Sequence, residues 1–218
     1  MRTRVKICGC TSVADVELAI AAGADAVGVI LAEESERRVN IEMLHEIAEA
    51  VPALVALVAV FVDPPAPLVD EALKVGAIPQ FHGDEPAIAC ESFAAGPYLK
   101  AYHVRDDRPV SRAAFDAFAR PYEHATWLFD TARPNGRSGG TGRAFAWETA
   151  RELAGDRRFV VSGGLTPANV GDCVRTARPY AVDVRSGVES NGRKDPDKVR
   201  AFVRAVHAAD DASAPARA

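Results

Sequence analysis

The chain has 218 residues, 48% of them hydrophobic and 26% charged, with a formal net charge of −4. That is enough apolar material for a full core, and the scattered Lys and Arg residues exclude a polyanion-binding stripe and with it a nucleic-acid partner. No run reaches the ~18 consecutive apolar residues of a membrane helix, and the stretch after the basic start lacks the apolar centre of a signal peptide, so no membrane partner is expected.

Apolar, β-branched runs alternate with helix-period runs from end to end. A strand is expected at residues 4–8, then a helix at 13–22, begun by Thr11-Ser12 and closed by Gly23. A strand at 26–31 leads to a helix at 41–50 behind Asn40; a strand at 55–62 leads to a helix at 66–75 closed by Gly76. The middle of the chain predicts a strand at 78–81, a helix at 86–94, a strand at 98–103 and a helix at 111–119. The last part predicts strands at 126–130, 159–161 and 180–184, with helices at 146–153, at 167–177 after Thr166, and at 196–208 after Asp195. Eight βα units of about 27 residues each sit near the compact limit of a (β/α)8 barrel, and residues 1–209 are expected to form it as a single domain. An open doubly wound sheet is the competing topology, because strand order is not written in the sequence. Residues 210–218 are polar, small and aperiodic, and are expected to be a disordered tail.

Barrel strands send alternate side chains inward and outward. With Val5 and Ile7 against the helices, Arg4, Lys6 and Cys8 point into the barrel, and Cys8 ends its strand on the side where barrel enzymes place their chemistry. Thr126, Leu128 and Asp130 share a face of the sixth strand, which Asp130 ends, and Asp183 in the eighth faces opposite to Val182 and Val184. Closure would make the first and eighth strands neighbours, so Lys6 and Asp183 are expected to pair inside; a buried lysine without a partner would be costly.

Three glycine turns crowd the second half: Ser138-Gly139-Gly140-Thr141-Gly142, Ser162-Gly163-Gly164-Leu165-Thr166 and Ser186-Gly187-Val188-Glu189. The latter two follow strand runs and lead towards helical patterns. Glycine lets backbone N–H groups approach an anion closely, and a following helix N-terminus adds a favourable dipole. They read as a phosphate cup, with Gly140, Gly142, Gly163, Gly164, Ser186 and Gly187 as its residues and a small-molecule phosphosugar as the partner.

Taken alone, Cys8 would be a small buried hydrophobe and Asp130 a turn cap. Together with the phosphate turns, both read as reactive. Cys10, Cys90 and Cys173 read as buried, and the spacing of all four cysteines fits free thiols in a reducing cytoplasm. His82, in His82-Gly83-Asp84-Glu85, is placed either to orient substrate or to make a structural hydrogen bond. His103 has no evident companion ligand and reads as structural, and the five histidines are not spaced for a metal site, so no metal is expected.

Seven motifs occur in order: Val5-Lys6-Ile7-Cys8-Gly9, Ala22-Gly23-Ala24-Asp25-Ala26-Val27-Gly28, Phe81-His82-Gly83-Asp84-Glu85, Leu128-Phe129-Asp130-Thr131, Gly139-Gly140-Thr141-Gly142, Gly163-Gly164-Leu165 with Asn169-Val170, and Val182-Asp183-Val184 with Ser186-Gly187-Val188-Glu189. In these the chain resembles the phosphoribosylanthranilate isomerase family of tryptophan biosynthesis, over residues 5–204. The resemblance implies an Amadori rearrangement of N-(5-phosphoribosyl)anthranilate, an aminoaldose phosphate, to 1-(2-carboxyphenylamino)-1-deoxyribulose 5-phosphate, without cofactor or metal, by a monomer or homodimer. It makes Cys8 the general base and Asp130 the general acid, with Arg37 meeting the anthranilate carboxylate; His82 and Asp183, from their places near strand ends, are expected to join Arg37 in binding substrate. Proton transfer wants the carboxyl pKa moved up and the thiol pKa moved down, and Lys6 is expected to depress the thiol.

The chain departs from the family pattern at three places. Glu36 stands where a proline is usual, which makes Arg38 a rival to Arg37. Arg185 stands where a small residue is usual, and Ala146 where an aspartate caps the sixth helix. The rival functions are the histidine-pathway isomerase, which would use an aspartate where this chain has Cys8, and a non-catalytic phosphosugar-binding barrel.

Overall fold

Alternation along the first strand sorts its side chains as expected. Val5 and Ile7 belong to the large core between strands and helices, while Cys8 packs inside with Ile30, Ala32 and Val60. In the computed structural model, which describes residues 2–94, 96–105, 107–131 and 145–213, eight parallel strands close into a barrel in chain order. They are β1 (Arg4–Cys8), β2 (Ala26–Ile30), β3 (Ala56–Phe61), β4 (Ile78–Phe81), β5 (Tyr98–Val104), β6 (Ala125–Thr131), β7 (Phe159–Val161) and β8 (Ala181–Val184). The helices that follow them are α1 (Val13–Ala21), α2 (Ile41–Ala50), α3 (Ala66–Lys74), α4 (Ala87–Phe93), α5 (Arg112–Ala119), α6 (Trp147–Ala154), α7 (Val170–Ala177) and α8 (Pro196–Ser213). The seam pairs Lys6 with Asp183 directly in register, which rules out the open sheet.

The helix starts follow from side-chain caps, which satisfy backbone N–H groups that have no partner within the helix. Ser12 accepts from the Asp15 N–H at 3.2 Å, Asn40 from Met43 at 2.9 Å, and Asp195 from Asp197 and Lys198 at 3.0 and 3.1 Å. Ala146 at the start of α6 provides no such cap, as its departure from aspartate predicts. α7 begins three residues later than its proline suggests. The Asn169 side chain accepts from Thr166 N at 2.7 Å and donates to the Gly164 carbonyl at 2.9 Å, which holds the preceding segment as a turn.

The end of the chain differs from expectation. α8 runs on to Ser213, so residues 210–213 are helix rather than disordered tail, and residues 214–218 of the expected tail lie outside the described residues. The cause is a tie to the other end of the chain: the Thr3 N–H and hydroxyl donate to the two Asp210 carboxylate oxygens at 2.6 and 2.8 Å. Thr3 is buried, so Asp210→Ala would leave it short of acceptors. The substitution should cost about 1–3 kcal/mol, read as a lowered urea midpoint. An unchanged midpoint would mean that the last turns of α8 do not hold β1.

Candidate active site

At the end of β1, Cys8 is 5% exposed. Behind it the Lys6 ammonium donates to Asp183 Oδ1 at 2.7 Å, and the Ser162 hydroxyl donates to Asp183 Oδ2 at 3.2 Å. Both carboxylate oxygens of Asp183 are therefore engaged inside the barrel. Gly28 on the neighbouring strand leaves this cluster room, since a Cβ there would lie 2.9 Å from Cys8 Sγ and 3.0 Å from Lys6 Nζ. Burial pulls the Lys6 ammonium down, but Asp183 and the Cys8 sulfur outweigh it and hold the pKa above its ordinary value. Burial pushes the Cys8 thiol up, Lys6 and Lys194 pull it down and Asp183 opposes them; the net result is raised. Lys6 does act in the expected sense, yet the thiol is not depressed, because burial and the Asp183 charge prevail.

Across the mouth, Asp130 ends the inward face of β6. Its Oδ2 lies 3.1 Å from His82 Nε2, and its Oδ1 accepts from the Thr131 N–H at 2.7 Å. Burial pushes this carboxyl up, but the hydrogen bond and charge of His82, the charge of His103 and the Thr131 N–H outweigh it and hold the pKa below its ordinary value. The expected upward shift is absent, because burial here comes with donors aimed at the charged form. His82 is itself fixed from behind. Gln80 Nε2 lies 3.1 Å from its Nδ1, and beneath it Lys100 bonds both Glu85, at 2.8 Å, and the Gly83 carbonyl, at 2.6 Å. Glu85 in turn accepts from the N–H groups of Asp63 and Gly83 at 2.9 and 3.1 Å, which pins the turn carrying His82.

His103 is not the isolated residue its sequence context suggests. It pairs directly with Asp130 in the β5–β6 register, donates from Nε2 to the His82 carbonyl at 3.1 Å, and its ring lies 5.1 Å from that of His82. One ligand-type atom from each of His82, His103 and Asp130 lies within 4.8 Å of the other two. Neighbouring strands bring together histidines that spacing along the chain keeps apart.

Two of the glycine turns meet at the mouth. Gly163 has φ +82° and Gly164 +65°, and a side chain on Gly163 would collide with the Asp130 carboxylate and Thr131. Gly187 sits directly on the Leu165 carbonyl, so the turns after β7 and β8 touch. The second does not open α8: it forms a single 3₁₀ turn, Ser186–Val188, followed by a hairpin of β9 (Glu189–Ser190) and β10 (Arg193–Lys194). Gly140 and Gly142 lie outside the described residues.

That hairpin supplies what the sequence reading missed. Its turn is Asn191-Gly192, with φ +49° and +76°, the dipeptide that favours a tight reversal. Glu189 accepts from Lys194 at 2.9 Å through Oε1 and from Arg37 Nη2 at 3.2 Å through Oε2. Arg37 thereby points to the mouth, with its buried Nε lacking a hydrogen-bond partner among the described residues. Arg38 instead lies half exposed beside Glu33 at 3.7 Å, and Glu36 is exposed, 3.9 Å from Arg37. Arg185 lays its aliphatic stem over Gly9, away from Asp183, and its carbonyl accepts from Lys194 at 3.3 Å.

The fold is that of the (β/α)8-barrel enzymes, and the candidate residues lie at the C-terminal ends of its strands, where such barrels carry their sites. Comparison with known proteins narrows the class. The chain belongs to the N-(5'phosphoribosyl)anthranilate (PRA) isomerase family, whose pattern matches residues 5–205. It is 41% identical to the N-(5'-phosphoribosyl)anthranilate isomerase of Bordetella petrii over 97% of this chain and 98% of that one. With the Pseudomonas aeruginosa enzyme it shares 44% over 93% and 94%. Among solved structures, the isomerase of Thermotoga maritima superposes with a TM-score of 0.82 at 34% identity, over 94% of this chain and 99% of that one. Another, solved in complex with reduced 1-(o-carboxyphenylamino)-1-deoxyribulose 5-phosphate, gives 0.77 at 32% identity over 94% and 99%.

The raised thiol can be measured. Alkylation of Cys8, followed by peptide mass spectrometry, should be slow near neutrality and reach half-maximal rate at a higher pH than that of a free cysteine. Lys6→Met should move that midpoint higher still, because the ammonium is the first of the groups that lower it. A wild-type midpoint below that of a free cysteine would mean that the thiol is depressed, and not raised, in the free protein.

Proposed function

We infer that this chain rearranges N-(5-phosphoribosyl)anthranilate to 1-(2-carboxyphenylamino)-1-deoxyribulose 5-phosphate in tryptophan biosynthesis, with Asp130 as general acid and Cys8 as general base. Asp130 gives a proton to the furanose ring oxygen while the anthranilate nitrogen lone pair opens the ring to a Schiff base. That cation acidifies the C2 hydrogen, and Cys8 removes it as a thiolate. The resulting enol loses its hydroxyl proton and gains one at C1 to become the ketone, so protons balance and no electron leaves the substrate. What supports these roles is one observation: a thiol that ends β1 and a carboxylate one residue from the end of β6 stand at the same rim, Cys8 beside Lys6 and Asp130 beside His82, whereas Asp183, one residue from the end of β8, is held by Lys6 and Ser162. Cys8 also stands where the histidine-pathway enzyme would carry an aspartate.

The touching turns at Gly163-Gly164 and Ser186-Gly187 support a phosphate site there, to which the family motif adds Gly140 and Gly142. Arg37 is the better candidate for the anthranilate carboxylate, because Glu189 aims it at the mouth while Arg38 faces solvent. His82 is best read as orienting Asp130, and Asp183 as holding Lys6, since both act on those groups directly. Among the described residues no helix is long and apolar enough to cross a membrane. The four free, buried cysteines support a reducing, cytoplasmic setting.

Two kinetic experiments test the reading. Asp130→Asn should fold and bind substrate but lose about 10²–10⁴-fold in kcat, because an amide cannot donate the proton. Retention of more than about a tenth of wild-type turnover would remove Asp130 from the role of acid. Arg37→Ala should raise KM more than it lowers kcat, and Arg38→Ala should do neither. The reverse order would move the carboxylate contact to Arg38.

A further inference from the structure

The cluster of His82, His103 and Asp130 has more order than proton transfer needs. In a metal site each histidine is usually fixed by a hydrogen bond from its other ring nitrogen, and each carboxylate by one to its other oxygen. Two of the three second atoms are so fixed here. His103 Nε2 donates to the His82 carbonyl at 3.1 Å and Asp130 Oδ1 accepts from Thr131 N at 2.7 Å, whereas His82 Nδ1 accepts from Gln80 Nε2 at 3.1 Å. What remains is one nitrogen on each ring and one carboxylate oxygen. His82 Nε2 and Asp130 Oδ2 are already 3.1 Å apart, against about 3.3 Å between ligands of a tetrahedral zinc ion.

Gln80 carries the second, independent observation. It is buried, and its Oε1 has no hydrogen-bond partner among the described residues. Reversal of the amide would let Oε1 accept from a His82 Nδ1–H. That tautomer leaves the lone pair on Nε2, where a metal ion would need it. The same rotation would turn His82 from the tautomer that donates to Asp130 into the one that can hold a metal ion.

We propose that His82, His103 and Asp130 bind a divalent cation of the zinc class, and that the ion blocks turnover by occupying the Asp130 carboxylate. Two imidazoles and a carboxylate suit such a borderline ion better than the all-oxygen preference of magnesium or calcium. The blocking half rests on Asp130 being the acid; the binding half does not.

Cobalt(II) is the probe, because tetrahedral coordination gives it intense visible bands. Chelator-treated full-length protein should develop those bands with a single equivalent of Co²⁺ and lose turnover in parallel, and EDTA should restore it. His103→Asn, with His103→Gln as a second variant if the first does not fold, is compared with its own metal-free turnover, because His103 also acts on Asp130. It should bind Co²⁺ at least about tenfold more weakly and resist inhibition. Absence of bands in the wild type, or bands that survive both His103 variants, would overturn the site. A sulfur-to-cobalt charge-transfer band would overturn it too, by assigning the ion to Cys8. Bands with undiminished turnover would overturn the blocking half, and the kinetics of Asp130→Asn would then tell whether the acid assignment had fallen with it.

Discussion

A single ammonium group inside the barrel organises most of what surrounds it. Lys6 has no route to water from its place on β1, so its charge must be answered within the barrel, and Asp183 on β8 answers it. Loss of one partner from a buried pair of this kind costs about 3–5 kcal/mol, because the other charge is left without compensation. The pair therefore ties the seam together from inside. Ser162, after β7, turns its hydroxyl to the same carboxylate, and β2 must present Gly28 to leave space. Four neighbouring strands are thus committed to one charge. The same ammonium is the leading influence lowering the Cys8 thiol, against the burial that prevails over it, so the residue that closes the barrel also acts on the proposed base.

The two sides of the mouth hold their proton in an instructive place. In the free protein Cys8 is held towards the thiol and Asp130 towards the carboxylate. On the roles proposed for them, catalysis begins from the reverse arrangement. Both arrangements contain the same number of protons, so passage between them needs a transfer across the site and none from solvent. Once the acid has donated and the base has accepted, the enzyme is in the arrangement its own electrostatics prefer. Proton movement on the substrate is therefore aligned with a preference built into the barrel.

Much of this was legible in the sequence, for a physical reason. Strand alternation assigns Lys6, Cys8, Asp130 and Asp183 to the interior without any knowledge of tertiary structure, and all four are found there. What escaped depends on neighbours in space. His103 gains its companions only when β4, β5 and β6 lie side by side, and the final thiol and carboxyl shifts are small differences between burial and several charges. Lys194 and the reach of Arg37 depend on a short hairpin, whose only mark in the sequence is Asn191-Gly192. The length of α8 is not written in its pattern, because its last turns are polar and small; a bond to Thr3, and not hydrophobic periodicity, keeps them helical.

That bond joins residues 207 positions apart. Contacts of such separation form late, after most of the chain has found its place. Before they form, Lys6 has no counter-ion, and β1 has only one of its two neighbouring strands. An incomplete chain leaving the ribosome would therefore carry Cys8 without its finished electrostatic setting. The same adjacency of beginning and end makes the connectivity a ring with one gap. A short link across that gap and a new break in an exposed loop would give a circular permutant with the same closed sheet. Where the chain starts is thus a matter of synthesis order, and the barrel itself has no first strand.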